Sequence, residues 1–134
     1  MRPTRKPRPP TMPYRCVSEI ALIRIELLGV VTRHDLLALY DELDALERSL
    51  PGIPSKLTQF GGVTSWAVDT GDFGNFAARS KAHRFSNSLK SAIVAREPSQ
   101  LGMARMFQIL NDHPQIGIAI FETVEAATDW LDVA

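Results

Sequence analysis

The sequence predicts an α/β fold, a single mixed, mostly parallel sheet with flanking helices, its elements in the order ββαβαβαβα. Three observations carry this. Strand-length apolar or alternating runs recur between longer stretches whose apolar residues fall at helical spacing. The run Ser91–Ala95, Ser-Ala-Ile-Val-Ala, suits a central parallel strand buried on both faces. The first two strands follow one another without a helix, so they pair as a hairpin and make the sheet mixed.

Order begins near Tyr14. Tyr14–Val17 and Ala21–Leu28 read as strands joined by a tight turn at Ser18 and Glu19. In the second, Ile23, Ile25 and Leu27 alternate with Arg24 and Glu26, giving one buried and one wetter face. Gly29 ends it. Thr32 and Asp35 then form a capping-box-like start for the clearest helix of the chain. Leu36, Leu39, Tyr40, Leu43, Leu46 and Leu50 line its apolar side, and Pro51-Gly52-Ile53-Pro54 stops it. Lys56–Phe60 is a short strand closed by Gly61 and Gly62, and a loop from Gly61 to Gly71 follows. A second helix is predicted from about Asp72 to Phe85, with Phe73, Phe76, Ala77 and Phe85 inward. Pro98 suits the first turn of a third helix running to Leu110. Ile116–Phe121 is the last strand, and Thr123 caps a final helix through Leu131.

Composition narrows the possible functions. The chain has 134 residues, the size of one domain, and 45% of them are hydrophobic, enough for a core. Residues 1–13 carry five of the nine prolines and four basic side chains, Arg2, Arg5, Lys6 and Arg8. They are expected to be a disordered, extended arm, either a solvated tail or a contact for an acidic partner or nucleic acid, and residues 14–134 are expected to form the domain. Setting those four bases aside leaves eleven against fifteen acids, so the domain is mildly acidic and no nucleic-acid partner is expected for it. The lone Cys16 points to a reducing compartment, and the cytoplasm is the expected location. No run approaches the ~20 apolar residues of a membrane span.

The later elements resemble a known family. Ala92-Ile93-Val94-Ala95, Leu101-Gly102-Met103-Ala104-Arg105-Met106-Phe107, Ile118-Ala119-Ile120-Phe121 and Ala126-Ala127-Thr128-Asp129-Trp130-Leu131 are similar to the SpoIIAA-like proteins. These are small bacterial α/β proteins related to the STAS domain and to the Sec14-type lipid-binding fold. The resemblance spans Tyr14 to Leu131 and is most specific in the last third. It implies a binding or regulatory role more than a reaction. In STAS regulators a serine in an Asp-Ser loop is phosphorylated; Asp69-Thr70-Gly71 resembles that loop, which makes Thr70 the candidate acceptor beside Asp69. The preceding strand departs from the pattern with Gln59 in place of an acid, and the loop Gly61–Val68 is longer. Thr70 has a second reading, as the cap of the following helix.

No catalytic constellation is legible. None of His34, His83 and His113 is tied to Cys16 by a motif, so Cys16 reads as a structural thiol. No nucleophile elbow or phosphate loop occurs, and the histidines lack zinc spacing. No enzyme activity, metal or cofactor is expected. Asp41, Glu42 and Asp44 read as a solvated helix face, and Arg79, Lys81, His83, Arg84 and Lys90 as favourable charge at a helix end. The apolar set Met103, Met106 and Phe107 is core by default, or else completes a dimer or lines a pocket. Trp66 is expected near the surface, covering the sheet edge or anchoring a partner. The sequence therefore predicts a non-enzymatic module that contacts a protein partner or forms a homodimer through Trp66, Met103, Met106 and Phe107. The alternative is a carrier or sensor of a lipid or other apolar small molecule, which predicts an apolar cavity of roughly several hundred Å³ beneath the third helix.

Overall fold

Strand order in the sheet follows chain order, and that decides where the helices go. In a computed structural model, residues 14–18, 22–82, 84–111 and 113–132 are described, apart from the side chains of residues 18, 70, 73, 77, 80 and 81. The basic arm at 1–13, the turn after Ser18, and His83 fall outside this description, as do the inward placements of Phe73 and Ala77. The elements are β1 (Tyr14–Ser18), β2 (Leu22–Thr32), α1 (Arg33–Arg48), β3 (Ser55–Ala67), α2 (Thr70–Ala82), β4 (Leu89–Val94), α3 (Pro98–Leu110), β5 (Ile116–Phe121) and α4 (Val124–Leu131). The sheet runs β1-β2-β3-β4-β5, with β1 antiparallel to β2 and every other pair parallel.

A crossover between parallel strands is right-handed in about 98% of cases. Three successive crossovers that step the same way across a sheet therefore put α1, α2 and α3 on one face. The packing agrees. Leu36 and Leu39 of α1, Phe76 of α2 and Ala104 of α3 share one cluster with Ile23, Ile25, Phe60 and Ile93. α4 folds back beneath the opposite face, where Ala127 and Leu131 meet Leu22, Leu57 and Ala92.

Local chemistry sets the helix ends. Thr32 and Asp35 form a full capping box at α1, with Asp35 N–H donating to Thr32 Oγ1 at 3.2 Å and Thr32 N–H to Asp35 Oδ2 at 2.9 Å. Pro98 opens α3, and Thr123 Oγ1 accepts from Ala126 N–H at 3.1 Å at α4. α2 differs from expectation. It starts at Thr70 and ends at Ala82, and its cap is Asp69: Asp72 N–H donates to Asp69 Oδ1 at 2.8 Å, and Asp69 N–H to Asp72 Oδ2 at 3.1 Å.

The glycines expected to end β2 and β3 bend them instead. β2 continues to Thr32 and β3 to Ala67, paired through irregularities between Glu26 and Leu28 and between Gly29 and Val30. Gly29 has φ 62°, which favours glycine. A Cβ on Gly62 would stand 2.5 Å from Leu28 Cδ2 and 3.3 Å from the Leu27 carbonyl oxygen. The predicted loop Gly61–Val68 is thus mostly strand. β3 leaves β4 at Gln59 and runs on beside β2 as a two-stranded extension. Gln100 of α3 reaches it, donating to the Val63 carbonyl at 3.4 Å.

Two amides tie down the connections at the opposite end of the sheet. Asn87 exchanges hydrogen bonds with both backbone groups of Ile53, at 2.8 and 3.0 Å. Gln115 does the same for Phe85, at 2.9 and 2.8 Å. On β5, the Phe121 carbonyl accepts from Ala95 N–H, so the alternate carbonyl of Ile118 faces the outer edge. There it accepts from Gln108 of α3 at 2.9 Å. Among the described residues no helix is long and apolar enough to cross a membrane.

Candidate functional site

The site is a cavity on the three-helix face. α1 packs over β1 and β2, while α3 packs over β3 and β5. α2 lies against both. Its Phe76 stacks on Tyr40 of α1 with centroids 5.2 Å apart and planes 18° from parallel, and it also contacts α3. Beneath α2 the central strands present short side chains, Thr58 on β3 and Ser91 on β4. Large residues above and short ones below leave about 130 Å³ unfilled. Leu39, Leu43, Phe60, Phe76, Ile93 and Phe107 supply much of an apolar wall.

Polar groups enter at two places. One is the end of the sheet where parallel strands begin. Helices that return antiparallel to the strands must finish there, which brings Glu47 of α1 and Asn111, the C-cap of α3, close to the start of β3. Lys56, the second residue of β3, pairs with Glu47 Oε2 at 2.5 Å, and its Nζ lies 5.7 Å from the Phe85 ring centroid. Glu47 is only 6% exposed, so this is a buried pair, and each charge depends on the other. Asn111 is 5% exposed, and its Oδ1 is buried with no hydrogen-bond partner among the described residues.

The other polar group closes the gap between α1 and α2. Arg79 Nη2 reaches Asp41 Oδ1 at 2.8 Å and Asp44 Oδ2 at 2.5 Å. Its guanidinium carbon lies 5.8 Å from the Tyr40 ring centroid. The hydrogen bonds to Asp44 and then Asp41 hold the guanidinium even more firmly protonated than usual. Burial pushes the Tyr40 hydroxyl well above its ordinary 10.0, and the nearby Arg79 only partly offsets this. The hydroxyl therefore stays neutral across the working pH range.

Two of the sequence-selected residues reach this cavity. Trp66 lies on β3, half-buried, with its ring edge-on to Phe60 at 5.0 Å and 66°, and it lines the cavity wall as Phe107 does. Met103 and Met106 are half-buried against the same core but do not line the space. The inward line of α3 is Gln100, Ala104, Phe107 and Asn111, spaced four, three and four. Ala104 is fully buried, which lets the helix backbone come close to the sheet. Asp69 is spent on the α2 cap, away from the cavity, and the Thr70 side chain lies outside the described residues.

The charged groups also differ from expectation. Asp41 and Asp44 are partners of Arg79, and Glu42 accepts from the Tyr14 hydroxyl at 3.3 Å, so this run is more than a solvated face. The basic cluster is dispersed. Lys90 belongs to β4 and donates to the Trp130 carbonyl in the last turn of α4, with its Nζ 5.1 Å from the Trp130 ring centroid. Cys16 is half-buried against the core. Glu47, Lys56 and Asn111 went unnoticed in the sequence. Only Glu47 left a trace there, falling four residues after Leu43 on the apolar stripe of α1.

No family model matches the sequence, and no curated protein matches it either. Among solved structures, the chain is similar to an uncharacterized protein of the DUF3478 family from Shewanella loihica PV-4, which has a SpoIIAA-like fold. The TM-score is 0.59 at 15% identity, over 88% of this chain and 91% of that one. The fold is SpoIIAA-like. At that identity the likeness carries architecture alone.

Proposed function

We propose that this SpoIIAA-like domain is a non-enzymatic binding module that holds a small, uncharged, mainly apolar molecule between the sheet and α1, α2 and α3. The cavity carries this reading. Its volume, about 130 Å³, is close to the ~150 Å³ apolar cavity that accepts benzene in an engineered protein core. It is below the roughly 300–1,000 Å³ of ordinary drug-sized pockets. A molecule of one ring fits, whereas a lipid carrier needs more room. The ionised side chains around the space are bound to one another, Lys56 to Glu47 and Arg79 to Asp41 and Asp44. Groups so engaged suit enclosure better than acid–base work. A regulatory use follows if occupancy sets how firmly α2 is seated. A cytoplasmic, reducing setting suits the single thiol.

Contact with a protein partner or a second copy is the second reading. It is supported by Ile109 of α3, 73% exposed, and by the exposed Val17, Val30 and Leu37.

The test is thermal unfolding with benzene or toluene, beside Ser91→Leu, which fills the space from below. A higher midpoint for wild type and none for a folded Ser91→Leu protein is the expected outcome. An unchanged midpoint with every uncharged aromatic tried overturns the reading.

A further inference from the structure

Asn111 is among the residues that line the cavity, and its side-chain oxygen is buried without a hydrogen-bond partner among the described residues. Buried side-chain oxygens in folded proteins are nearly always hydrogen-bonded. A bound molecule with one N–H or O–H would complete this one.

Charge narrows the class further. Four ionised side chains line the space, Asp44, Glu47, Lys56 and Arg79. Lys56 is matched by Glu47, and Arg79 by Asp44 with Asp41 in addition. No cation in that set is left for an anionic ligand. Burying a carboxylate here would desolvate it without a counterion, which strongly disfavours the charged form. A cation would have to compete with Arg79 for Asp41 and Asp44, or with Lys56 for Glu47. The remaining class is neutral.

We propose that the cavity selects a neutral single-ring molecule carrying one hydrogen-bond donor, a phenol in chemical class, which donates to Asn111 Oδ1 while its ring occupies the apolar space. This rests on the small-molecule reading and specifies its ligand. The hydroxyl supplies the missing donor, and the ring matches the size of the cavity. The amide thus separates phenols from hydrocarbons of the same shape.

Calorimetric titration of the full chain with phenol, anisole, toluene and benzoate tests this. Anisole keeps the ring and the oxygen but has no donor. Phenol is expected to bind roughly tenfold more tightly than anisole or toluene, the effect of one hydrogen bond, and benzoate is expected to give no signal. In Asn111→Ala, phenol falls to the level of toluene while toluene is retained. If phenol, anisole and toluene bind alike in wild type, the Asn111 inference is overturned and the small-molecule reading stands. If none of the four binds, both fall. The phenol–anisole comparison needs no variant, so it decides the matter even where Asn111→Ala does not fold.

Discussion

Beneath the sheet, α4 meets β4 through Ala127 and Ala92, both fully buried, and Leu57 and Leu131 fill what remains. Above the sheet, three helices cover the same strands and leave a hole. On the side with one eight-residue helix, two alanines allow close approach, and the helix has no neighbours to accommodate. On the other side α1 and α3 claim the flanks, and α2 rests on Tyr40 and α3 above Thr58 and Ser91. The cavity is therefore a product of topology. Three same-handed crossovers stepping in one direction crowd one face, and the middle helix is held off the sheet.

The largest effect we expect comes from the buried ion pair on the crowded face. Lys56→Met leaves Glu47 buried and unpaired and should lower stability by about 3–5 kcal/mol in urea unfolding. Adding Glu47→Leu should return most of that loss. If the single variant is harmless, this end of the cavity is wetter than the structure shows. Adjacent residues of β4 sharpen the contrast, since they point to opposite faces. Ala92→Leu overpacks the α4 side and should destabilise by about 1–3 kcal/mol, whereas Ser91→Leu enters the hole and should stay within about 1 kcal/mol of wild type. Equal losses at the two positions would erase the distinction between the faces.

Alkaline pH probes the crowded face alone. Because the folded protein holds the Tyr40 hydroxyl above its ordinary 10.0, its contribution is complete below that pH. It declines as pH rises further, when the unfolded chain loses the proton first. At roughly pH 11, wild type should have lost about 1 kcal/mol relative to Tyr40→Phe, read as a difference in urea midpoints between pH 8 and 11. The smallest effect belongs to Arg79→Ala. With the arginine side chain 38% exposed, its loss should change stability by less than about 1 kcal/mol. Ligand exchange should nevertheless quicken in stopped-flow measurements, since α2 loses its tether to α1.

The helices of this chain are easier to read from sequence than its strands. Thr32 with Asp35, Pro98 and Thr123 are local signals acting within a single turn, and each marks a real helix start. Gly29, Gly61 and Gly62 are ambiguous for a physical reason: a glycine that ends a strand and one that kinks it look alike until the partner strand is known. Asp69 and Thr70 raise the same difficulty at shorter range, because both are good caps and only the backbone chooses between them. The cavity was harder still. Trp66 reads as a surface aromatic and Phe107 as core by default, and neither reading implies a shared cavity. Asn111 looked like an ordinary residue beyond a helix end. Lys56 and Glu47 each look like surface charges, and only three-dimensional packing makes them mutual partners.

The amide that Gln108 lends to Ile118 has a bearing on assembly. An open strand edge invites its like, and a chain of sheets joined side to side can grow without limit. Here a newcomer must first dislodge a side chain from the carbonyl it would use. That obstacle guards the β5 edge, so the opposite edge strand, β1, is left as the one that pairing with another sheet would test first.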